Sequence, residues 1–78
     1  MTRWENRQAM RYYQAGALQN LFGDWEVLLV WGGIGNGYGR EVYVPVDGAL
    51  EAEAALERIA TRRSLRGYVR VPATMGGR

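Results

Sequence analysis

The residues 31–39, Trp-Gly-Gly-Ile-Gly-Asn-Gly-Tyr-Gly, set an indole beside a segment with glycine at five positions. Glycine tolerates positive φ and lets backbone N–H groups approach a partner closely. An indole held by such a donor-rich loop can stack on a flat ligand, with Tyr38 exposed at the loop tip. The same residues also suit a strand that ends on a core-edge tryptophan and reverses. Guanidinium groups are the second chemical resource. All ten basic residues are arginine, which binds phosphate and carboxylate bidentately and stacks on rings. They concentrate at Arg58, Arg62, Arg63, Arg66 and Arg70, with Arg40 just after the glycine loop. Such a set can position phosphates without reading sequence. It can equally offset a helix dipole on a solvated face.

Other chemistries find little support. The chain has no cysteine and no histidine, so it lacks disulfides, thiol nucleophiles, imidazole bases and the usual zinc ligands. Glu53 and Glu57, one turn apart, read as solvated helix charges rather than an acid–base pair. The glycines at 35, 37 and 39 superficially match a dinucleotide fingerprint, but that motif must open a helix and these lead into a strand. We therefore expect no enzyme, no cofactor and no metal. With 78 residues and a net charge of +2, one small domain with a modest core is expected. No apolar run suits a signal peptide or approaches the roughly 20 residues of a membrane span. A soluble cytoplasmic protein is the default expectation.

The elements that would position these groups are legible in the patterning. Residues 1–9 are polar and read as a flexible arm carrying Arg3, Trp4 and Arg7. Residues 10–18 form an aromatic-rich strand, followed by a turn with Gly23 and Asp24 as turn formers. Residues 25–31 are apolar on both faces except at Glu26, which suits a central strand. In residues 40–46, Val42, Val44 and Val46 alternate against Glu41, Tyr43 and Pro45, and the proline predicts a sheet edge or end. Asp47 or Gly48 can cap a helix over 49–64. Ala52, Ala55, Leu56, Ile59 and Ala60 form its apolar stripe, and its acidic start and basic end complement the dipole. Gly67 closes it, residues 68–71 form a last strand, and 73–78 read as a disordered tail. This order implies an α+β domain over residues 10–72, a twisted antiparallel sheet of four or five strands with one helix packed on one face.

At this point the chain resembles the WGR domain family, and in particular its small stand-alone bacterial members. Trp31, Gly32, Ile34 and Gly35 match the motif, while Gly33 stands where the family has its arginine. The aromatic strand around Tyr12 and Tyr13, the turn Leu21-Phe22-Gly23-x-Trp25, the alanine-rich helix and the closing Arg66-Gly67-Tyr68 are similar too, covering about residues 10–71. The resemblance implies a module that binds DNA ends, with Trp31 packing against the terminal nucleotide. Family members often carry a basic residue two positions before the motif tryptophan, where this chain has Leu29.

Two functions are therefore expected. In the first, the chain binds DNA through Trp31, Gly32, Gly33, Tyr38, Arg40, Arg62, Arg63 and Arg66, by stacking and phosphate contacts. In the second it has lost DNA binding and contacts a protein partner, or itself, through the apolar face of Trp25, Val27, Leu29 and Trp31.

Overall fold

The computed structural model describes residues 1–37 and 39–72. Its elements run β1 (Thr2–Asn6), β2 (Arg11–Gln19), β3 (Trp25–Gly33), β4 (Gly39–Val46), α1 (Ala49–Leu65) and β5 (Val69–Val71). The five strands form one sheet in the order β4-β3-β2-β1-β5, and every neighbouring pair is antiparallel. One helix packs against the sheet through β2 and β3, so the fold is α+β. Residues 73–78, expected as a disordered tail, and Tyr38 lie outside the described residues.

The largest departure from the sequence reading is at the N-terminus. Residues 2–6 are not a loose arm but a strand between β2 and β5. Trp4 is 5% exposed and belongs to the core with Ala15, Val27 and Ala52. The strand reads as polar because only Trp4 brings a large apolar side chain inward. Its outward residues Arg3 and Glu5 satisfy each other instead of facing a core. Glu5 accepts hydrogen bonds from Arg3 at 2.9 Å and Arg7 at 3.0 Å. The Arg3 hydrogen bond is the main reason the Glu5 carboxyl is held below its usual pKa; partial burial opposes it, and attraction to Arg7 and Arg3 assists.

A depressed carboxylate pKa stabilises the fold above the ordinary carboxylate range, and that contribution is lost as pH falls through the depressed value. Glu5→Gln should therefore flatten the acid limb of the stability–pH curve. Hydrogen exchange of the β1 amides against pH would check this, and identical acid limbs in both proteins would refute it.

Antiparallel partners share a sheet face, so the register sorts the side chains. Trp4, Tyr13, Trp31 and Arg40 lie in one row across four strands, and Ala15, Leu29 and Val42 in the next. This is the face that carries the helix, whose buried Ala52 lets it sit close. Pro45 lies on β4, an edge strand, where its missing donor costs no internal ladder bond. The helix ends as its glycine predicts. Gly67 takes φ of 84°, its N–H donates to Ser64 O, and Tyr68 N–H donates to Arg63 O. These two bonds make a Schellman cap. Asn6 Nδ2 also donates to Arg66 O at 3.4 Å, tying the helix end to β1.

Candidate nucleic-acid interface

β3 does not stop at Trp31. It continues through Gly32 and Gly33, which pair with Tyr12 and Arg11 of β2. Gly39 already belongs to β4, opposite Gly32. These three glycines are ladder residues and not part of a phosphate-binding loop. Among the described residues of the connection, Gly35 and Gly37 take positive φ. Its start is anchored by the Ile34 N–H, which donates to Met10 O at 2.9 Å. A side chain at 39 would crowd the Tyr12 hydroxyl, which a Cβ there would approach to 2.6 Å, so Tyr12 would have to shift. At Gly33 a Cβ would run into the side-chain amide of Asn36. A larger residue at 33 therefore has to displace Asn36.

Trp31 is half-buried. Its ring stacks on Tyr13 with centroids 6.0 Å apart and 15° between planes. Trp4 closes the other side of Tyr13 at 6.4 Å and 59°. The Arg63 guanidinium lies 4.2 Å from the Tyr13 centroid and 5.0 Å from that of Tyr68. Its Nε is buried and has no hydrogen-bond partner among the described residues. Arg63 is thus held as a cation between rings, a contact that strengthens when desolvated. Its guanidinium props the aromatic row and cannot extend into solvent without leaving it.

The other predicted residues divide by location. Arg40 sits directly across from Trp31 on β4 and is exposed. Arg62 is exposed in the last turns of the helix and, with Arg58, rims a groove of about 320 Å³ between helix and sheet. Tyr13, Leu29, Ala55, Ile59 and Arg63 complete its lining. Arg66 is exposed at the helix C-cap. Arg58 belongs to the arginine set expected to position phosphates, whereas Tyr13 was not an expected contact, although the hairpin turn implies that Tyr13 stands opposite Trp31. Leu29 lines the groove under the helix, so a flat contact through that strand face is closed at its centre. The reverse face, with Tyr12, Leu28, Val30 and Tyr43, carries no element among the described residues.

Charge is divided along the strands. The end built by the β2–β3 turn, the close of β4 and the start of the helix holds Asp24, Glu26, Asp47, Glu51 and Glu53. No arginine occurs in residues 12–39 or 41–57. The opposite end holds Arg7, Arg11, Arg40, Arg62, Arg63 and Arg66, so the aromatic row lies in a basic field. Among the described residues no three acidic side chains gather as a metal site, and no helix is long and apolar enough to cross a membrane. No family model, curated protein or solved structure matches the chain.

Proposed function

We propose that the chain is a non-enzymatic, WGR-like module that binds a DNA end through the basic end of its helix-bearing face. The observation that carries this reading is the stacked Tyr13–Trp31 pair, with Arg40 across from it and Arg58 and Arg62 on the adjoining groove. Aromatic rings in a positive field are the usual means of holding a nucleic acid with little sequence preference. Trp31 stacks on a terminal base or sugar. Arg40 and Arg62 hold phosphates, with Arg66 as a further contact at the helix end. Arg40 takes over the role of the guanidinium missing at Gly33. Arg63 positions Tyr13 and, through it, Trp31.

Titration of a labelled blunt duplex at low and at physiological salt tests this. Binding should weaken steeply with salt, and Trp31→Ala should weaken it by about 5- to 150-fold, given roughly 1–3 kcal/mol per stacked base. Circular dichroism of the variant controls for folding. No binding by the wild type at low salt rejects the proposal.

A further inference from the structure

The β2–β3 turn is a hydrogen-bonded mount for two apolar side chains that project into solvent. Asn20 Oδ1 accepts the N–H groups of Phe22 at 2.9 Å and Asp24 at 3.0 Å. Asn20 N–H donates to Asp24 O, and Gly23 N–H to Asn20 O. Gln19 Nε2 donates to Gly23 O at 3.0 Å, and Gly23 sits at φ 84°. This network presents Leu21 fully exposed and Phe22 89% exposed. Leu50, 82% exposed at the helix start, lies at the same end of the molecule. Large apolar residues fixed in solvent at a loop tip mark a contact surface more than a folding requirement.

The surroundings of the tip restrict its partner. Asp24, Glu26, Asp47 and Glu51 share its end of the molecule, with no arginine there among the described residues. An anionic lipid surface or a nucleic acid would be repelled there. The complement is an apolar floor with a cationic rim. This chain has one: the groove whose floor is Leu29, Ala55, Ile59 and the Tyr13 ring, and whose rim is Arg58 and Arg62. Tip and groove sit toward opposite ends of the same fold, so one molecule cannot join its own pair.

We propose that a second copy of this chain seats its Leu21–Phe22 tip in that groove, giving head-to-tail assembly. Such a heterologous contact repeats from copy to copy and makes rings or open chains rather than a closed two-fold pair. The acid residues around the tip lie against Arg58 and Arg62, so assembly weakens with salt. The inference does not rest on DNA binding. The two are linked only in that both would occupy the arginine-rimmed groove.

Sedimentation velocity over a concentration series, without nucleic acid, tests the assembly. The wild type should gain mass with concentration at low salt and lose it at high salt. A tip variant, Leu21→Ser with Phe22→Ser, and a groove variant, Arg58→Glu with Arg62→Glu, should each associate at least about tenfold more weakly, as for central interface residues. All four positions are exposed, so both variants should keep the wild-type circular dichroism. Mixed in equal amounts, the variants should form a single heterodimer, since one intact tip and one intact groove remain. A wild type that stays monomeric at every concentration overturns the proposal, as does assembly of undiminished affinity in either variant. A mixture that remains monomeric excludes the head-to-tail geometry. Because the readout involves no DNA, failure here leaves the duplex titration unaffected, and the reverse also holds.

Discussion

Trp4→Ala should cost about 3–5 kcal/mol of folding stability, the range for removing a large buried aromatic side chain. A domain of 78 residues has a total of about 4–12 kcal/mol at roughly 0.05–0.15 kcal/mol per residue. The loss is thus between about a quarter and the whole of the stability, and the urea midpoint should fall in proportion. The size of the effect follows from position. Trp4 is 5% exposed, lies on β1 between β2 and β5, and packs on Tyr13 under the helix end. Its loss opens a void where the sheet, the helix C-terminus and β5 meet. Phe22→Ala is the matched control. That residue is also a large aromatic, yet 89% exposed, and its change should stay within about 0.5 kcal/mol, as for surface substitutions. Urea unfolding followed by circular dichroism measures both. Equal midpoints for Trp4→Ala and the wild type would return residues 1–9 to a loose arm.

The arginines should separate into two kinds when substituted by glutamine. Arg40→Gln and Arg62→Gln should each reduce the slope of log affinity against log salt by about one, the signature of a lost phosphate contact. Together they should make the slope shallower by about two, with little change in stability, because both side chains are exposed. Arg63→Gln should do the opposite. Its guanidinium lies on Tyr13 and Tyr68 with Nε buried, so its loss should destabilise the fold by about 0.5–2 kcal/mol and leave the salt slope unchanged. Duplex titrations at four or five salt concentrations, paired with urea melts, give both quantities. A slope change for Arg63→Gln equal to that for Arg62→Gln would make Arg63 a phosphate ligand and remove its structural role.

These contrasts trace the limits of the linear reading. The apolar run of β3, the alternation in β4 and the stripe of α1 are local patterns, and each element formed where its pattern lies. The proline at an edge and the glycine after the helix were equally readable, because each acts through its own backbone. β1 was not readable in this way. Its order depends on partners in β2 and β5, and its outward residues neutralise each other, so no apolar period marks it. The extent of the glycine connection is likewise not legible from composition. Glycine composition suggested a loop from residue 32, but ladder pairing retains Gly32, Gly33 and Gly39 in strands.

Local patterning was sufficient for the class of fold, the two aromatic strands of the central hairpin and the basic half of the helix, since these arise within a few residues. Which sheet face the helix covers, and so whether Leu29 is free, was decided only by long-range packing. The same holds for the division between Arg63, bound to rings, and Arg62, open to solvent. Two adjacent arginines on a helix point about 100° apart, and only the position of the sheet determines which of them is drawn inward.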